Sequence, residues 1–139
     1  MRKGYAVAEG IKRKAEILEG NPCHEKGNYP SEICAQQWVR SLQVVEEHKE
    51  NLKNFIEISY ELFSDNPKQI SDKLTKFLGV EPYDDEYFKS SFTVHEKDSK
   101  IKNMNFKSFE RLSSKEIESI NEVAGEYLKK YGYELKSIR

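Results

Sequence analysis

"ISYELFSDNPKQISDKLTKFLGV", residues 58–80, is the stretch on which the fold class turns. With the residues just before it, Phe55, Ile56, Ile58 and Tyr60 form a short run rich in strand formers, the pattern of a mostly buried strand. Asn66 can cap a helix, Pro67 suits its first position, and Ile70, Leu74, Phe77 and Leu78 share one helical face. Gly79 ends that helix. The predicted order is strand, turn, amphipathic helix, with Tyr60 and Glu61 delivered to the strand's carboxyl end. Open α/β sheets place ligand sites there. The expected fold class is therefore α/β, mostly helical in this chain, with one clear strand.

Working outward, the periodicity predicts a helix over Ala6 to Glu19, with Val7, Ile11 and Leu18 on one face, stopped by Gly20-Asn21-Pro22. Residues 22–31 are loop-like. Ser31 then starts a helix to about Lys53 whose apolar stripe is Cys34, Trp38, Leu42 and Val45. Val80 to Leu112 has little periodicity apart from a short helix over Asp84 to Ser90. The last helix opens on Ser113-Ser-Lys-Glu116, a capping box, carries Ile117, Ile120, Ala124, Tyr127 and Tyr131 on one face, and ends at Gly132. Four amphipathic helices beside one strand leave that strand short of partners within the chain. The isolated polypeptide is thus expected to expose apolar surface and to self-associate.

The 139 residues suffice for one domain and a single core. A charged fraction of 34% with 37% hydrophobic residues describes a well solvated globular chain, and a net charge of −1 argues against general affinity for nucleic acid or membranes. No stretch approaches the ~18 apolar residues of a membrane span, and no signal-peptide core is seen at the start, so a cytoplasmic location is expected. Cys23 and Cys34 read as thiols. Together with His24 and His48 they show no CxxC or HxxxH spacing, and no metal site is expected.

The ordered set of Trp38 on a helix, an apolar run ending in Tyr60-Glu61-x-Leu or Phe, Asn66-Pro67, Phe77-Leu78-Gly79 and a capped helix closing on Tyr131-Gly132-Tyr133 resembles the C-terminal half of the sulfotransferase family. That family reads Tyr-Glu-Asp-Leu, Asp-Pro and Phe-Leu-Gly at the corresponding places. The resemblance covers nearly the whole of residues 1–139 and implies the C-terminal part of a P-loop-like sulfotransferase fold. It implies 3'-phosphoadenylyl sulfate as sulfuryl donor, with Tyr60 beside its adenine. In the same terms Arg2, in "RKGYAVAEG", aligns with an arginine that holds the donor's 3'-phosphate. Lys3, Gly4 and Gly10 replace the aspartate, proline and serine of the family pattern, so one phosphate ligand is retained and one is lost.

The resemblance also implies that the family's phosphate-binding loop and catalytic base belong to an N-terminal half upstream of Arg2, absent from this chain. No GxxxxGK[ST]-like string occurs here. His95 and Glu61 are the tempting bases, yet neither matches the family's base by position, and no catalytic residue is assigned. Basic residues cluster at the start and over Lys97 to Lys115, from which Lys107 and Arg111 are candidates for the 3'-phosphate side. The favoured expectation is a segment of an enzyme that moves a sulfuryl group to a hydroxyl or amine of a small-molecule or glycan acceptor, inactive by itself. One alternative is a helical interaction module that keeps the scaffold without catalysis. Another is an unrelated nucleotide-binding domain.

Overall fold

A computed structural model describes residues 1–17, 29–94 and 97–137. The elements in chain order are α1 (Gly4–Ile17), α2 (Ser31–His48) with a 3-10 turn over Lys49–Asn51, α3 (Tyr60–Asp65), and α4 (Pro67–Leu78). Next come a second 3-10 turn (Asp85–Lys89), β1 (Phe92–Val94), β2 (Lys97–Ser99), α5 (Asn105–Glu110) and α6 (Ser114–Lys130). The chain divides into two compact units. Unit 1 holds residues 1–2 and 54–104, and unit 2 holds residues 3–53 and 105–139.

Unit 2 is a helical assembly in which α1, α2 and α6 pack on one another and α5 packs on α1. Its core is Tyr5, Ala6 and Ala8 of α1, Cys34, Ala35, Trp38 and Leu42 of α2, Leu112, and Ile117, Ile120, Ala124 and Leu128 of α6. Trp38 lies against Gly4, where a Cβ would come 2.9 Å from the indole Cε3. A glycine at that point lets the ring close onto the first turn of α1. The last helix starts as its sequence dictates: Ser113 accepts from the Glu116 amide at 3.4 Å, and Glu116 Oε2 accepts from the Ser113 amide at 2.9 Å. Tyr5 ties the chain end down, its hydroxyl donating to Asn121 Oδ1 and accepting from the Lys136 amide at 3.0 Å. Burial pushes the Tyr5 phenol above its usual range, with the Lys136 backbone contact opposing it.

Unit 1 has a different character. Every large apolar side chain that is buried among the described residues belongs to unit 2, whereas the buried residues of unit 1 are Ser64, Ser71 and Thr75. Helix α4 runs over Pro67–Leu78 with proline in its first turn and Gly79 left-handed at φ 69°, as the sequence indicates. Its expected apolar stripe is only partly covered: Ile70 and Leu74 are half-buried, while Phe77, Leu78 and the following Val80 are exposed.

The α/β expectation, with its strand at Phe55 to Tyr60, is overturned. Residues 55–59 have no regular structure and Tyr60 opens helix α3. Two causes are visible. Strand formers give a strand only when neighbouring backbone completes the ladder, and among the described residues the long-range backbone contacts of this run are with Met1, whose amino group donates to the Ile58 carbonyl and whose carbonyl accepts from the Tyr60 amide. Meanwhile Ser59 caps a helix, its hydroxyl accepting from the Leu62 amide at 3.0 Å, with Glu61 favourably placed in the first turn. Strand structure among the described residues is confined to the β1–β2 hairpin, antiparallel with Thr93 opposite Asp98. The chain is mainly helical, and it contains no sheet of the α/β kind among the described residues.

Candidate functional site

The most developed site belongs to unit 1 and is organised around Tyr60. Three contacts fix this side chain: Arg2 places its guanidinium carbon 4.6 Å from the ring centroid, and the hydroxyl donates to the Lys102 carbonyl at 3.1 Å while accepting from the Met104 amide at 3.0 Å. A guanidinium over a phenol face is a favourable cation–π arrangement. The cap at Ser59 sets the direction in which Tyr60 leaves the backbone, and Ser64 closes the same turn by donating to the Tyr60 carbonyl at 2.6 Å.

Tyr60 and Phe63, one helical turn apart on α3, line two clefts and form the wall between them. The first cleft, about 530 Å³, is bounded by Met1, Arg2, Ile58, Ser59 and Leu74 besides that wall. It joins the Arg2 guanidinium to a mainly apolar surface. The second, about 640 Å³, adds Tyr83, Tyr87 and Phe88 from the segment around the second 3-10 turn, and Lys100, Ile101 and Lys102 from the segment after the hairpin.

Of the residues singled out from sequence, Arg2 and Tyr60 are brought together in unit 1. Lys107 and Arg111 belong to unit 2. Lys107 is exposed on α5. Arg111 is engaged by a carboxylate: its Nη1 lies 3.3 Å from Oε1 of Glu9, which also accepts from Arg13 Nε at 3.2 Å. Glu9 is 4% exposed, so this pairing neutralises a buried acid, which would otherwise be costly. Glu61 lies in the first turn of α3, and His95 lies outside the described residues.

Tyr83, Tyr87 and Phe88 of the second cleft were not singled out from sequence. Their signal is the Tyr83-x-x-x-Tyr87-Phe88 spacing, set inside an acidic run that draws attention to charge instead. Among the described residues no group of three or more His, Cys, Asp or Glu side chains is placed to hold a metal ion, and Cys23 and His24 lie outside them. Cys34 is fully buried, and that burial pushes its thiol up, opposed by smaller effects that include the Lys12 charge. Among the described residues no helix is long and apolar enough to cross a membrane.

Glu116 is a marked electrostatic centre of unit 2. Its Oε1 accepts from Lys12 Nζ at 2.6 Å and from the Ser31 hydroxyl at 3.1 Å, and its Oε2 serves the Ser113 cap. Burial works to raise this carboxyl, but the Lys12, Ser113 and Ser31 donors outweigh it and bring it down to about 2. The carboxylate thus fills the positive ends of α2 and α6 from within the chain.

Comparison of the chain with protein-family models, with curated proteins and with solved structures finds no match.

Proposed function

We propose that the chain is the C-terminal segment of a sulfotransferase that uses 3'-phosphoadenylyl sulfate, and that its contribution is to hold the donor nucleotide. The observation that carries this is the placement of Arg2 over the Tyr60 ring at the edge of one cleft. These two residues, 58 positions apart, are two of the four for which the family resemblance implies donor contacts. The mainly helical fold lends no support, and the proposal rests on residue order and on this pair.

In the intact enzyme the sulfuryl group passes from the donor's phosphosulfate to a hydroxyl or amine of a small-molecule or glycan acceptor, which loses a proton. By analogy with phosphoryl transfer, such a reaction is governed by cations and amides positioned around the moving group. Arg2 supplies one cation for a donor phosphate, and Tyr60 supplies apolar surface for a base. No residue here is assigned as the base that takes the acceptor's proton. The segment alone is therefore inactive and binds the nucleotide weakly. A dissociation constant of 1 mM already requires about 4.1 kcal/mol net, and one arginine with one tyrosine falls short of it once the cost of association is counted, so binding is millimolar or weaker.

The test is ligand-observed NMR with adenosine 3',5'-bisphosphate and the full chain. Binding at millimolar strength or weaker is expected, weakened further in Arg2→Ala by loss of a charge-assisted contact. Micromolar binding, or binding indifferent to Arg2→Ala, overturns the proposal. The exposed Leu62, Phe77, Leu78 and Val80 of unit 1 favour a second reading, a helical interaction module without catalysis.

A further inference from the structure

We propose that the second cleft of unit 1 is a binding site for a flat aromatic ring bearing an oxyanion group. This does not depend on the donor proposal. Its apolar walls are made by five aromatic side chains, Tyr60, Phe63, Tyr83, Tyr87 and Phe88, and its volume of about 640 Å³ falls in the range of small-molecule sites. Tyr83 and Tyr87 stack with centroids 5.0 Å apart and planes 18° from parallel, and Phe88 meets both edge-on. Offset-stacked rings of this kind accept a further ring on the same terms. Yet Tyr83 is 53% and Tyr87 48% exposed, a large aromatic area for the chain to leave in water.

Charge decides what the ring must carry. Lys100 and Lys102 line the cleft, are exposed, and pair with no acid among the described residues. The nearby acids Asp72 and Asp85 are taken up by Lys68, at 2.7 and 3.5 Å. Ser71, 7% exposed, also lines the cleft, and its hydroxyl makes no hydrogen bond among the described residues. An anion held by two ammonium groups and one hydroxyl complements this set, with the ring against the tyrosines. The Tyr60 hydroxyl contributes by anchoring the Lys102 and Met104 backbone, which keeps the lysine-bearing segment at the cleft.

The test titrates the full chain with 2-naphthyl phosphate, with 2-naphthol and inorganic phosphate as the ring-only and anion-only comparisons. Naphthyl phosphate is expected to bind more tightly than either. Lys100→Gln with Lys102→Gln weakens it by about fivefold, as for two solvent-facing ion pairs, and leaves 2-naphthol unaffected. Tyr87→Ala weakens both aromatic probes by about fivefold. An unchanged thermal transition in the lysine variant separates these effects from unfolding. Naphthyl phosphate binding no tighter than 2-naphthol, or unaltered by the lysine and tyrosine changes, overturns the inference. The donor proposal is read independently, from the Arg2→Ala titration.

Discussion

The Arg2 guanidinium carbon stands 4.6 Å above the Tyr60 ring, whose hydroxyl is hydrogen-bonded to the backbone of residues 102 and 104. The phenol is thereby held by face and by edge. In Tyr60→Phe the ring and its cation remain, but the Met104 amide loses its acceptor. Hydrogen exchange at Met104 should quicken, at a local cost of about 1 kcal/mol. Unchanged protection of that amide would show that the hydroxyl does not hold the segment.

Gly4 and Trp38 give a packing test of unit 2. A methyl group at Gly4 would meet the indole at 2.9 Å, so Gly4→Ala should destabilise by about 1 to 3 kcal/mol although alanine favours helix. Trp38→Ala removes a side chain in a residue only 4% exposed and should cost about 3 to 5 kcal/mol. Denaturant midpoints of the two variants check both values. A loss below about 1 kcal/mol for Trp38→Ala would place the indole outside the core.

Acid should weaken unit 2 through Glu116. Its carboxyl titrates at about 2 in the folded chain, below the ordinary value near 4.3 expected when unfolded. A depressed folded value means that the unfolded state takes up the proton first as pH falls. The stabilisation is complete above about pH 5 and is lost between there and about pH 2. The stability difference between the natural chain and Glu116→Gln should therefore be constant from pH 7 to about 5 and shrink below it. A difference that persists unaltered to pH 2 would rule out this linkage.

Unit 1 should make the chain associate. Leu78 is 65% and Val80 56% exposed, with Phe77 beside them at 42%. Sedimentation velocity over a concentration series is expected to show reversible oligomers, reduced in Leu78→Glu. A monodisperse monomer at high concentration would contradict the expectation.

How much of the fold was legible in the sequence depended on whether the deciding interaction was local. Helix α4 has its proline start and glycine stop within its own residues, and its bounds were read directly from them. The capping box of α6 is equally local and is realised. The run at residues 55–60 is the opposite case, since Phe55, Ile56 and Ile58 carry strand preference but a strand exists only through neighbours that periodicity does not reveal. Helices α3 and α5, six residues each, are too short to repeat a period, and neither was anticipated. Burial was read less well than structure. Among the described side chains of α1 the buried ones are Tyr5, Ala6, Ala8 and Glu9, while the expected Val7 and Ile11 are half-buried and Leu18 lies outside the described residues. A buried glutamate could not be foreseen without Arg111, 102 positions away. At the site, Arg2 and Tyr60 were reached through family resemblance. The aromatic cleft required the fold, because its residues come from four separate stretches between 60 and 102.

The division of the chain has a consequence for its covalent continuity. Unit 2 is discontinuous: the backbone leaves it at Lys53 and returns at Asn105, with residues 54–104 inserted between. Its cohesion comes from α1 and α2 packing with α5 and α6, and not from the peptide bonds of the intervening segment. A protease that cuts within the insertion would separate two fragments in a denaturing gel while leaving the helices joined in solution. Expressed as two polypeptides, residues 3–53 and 105–139 would reassemble, and the insertion point would serve as a natural place to split the protein.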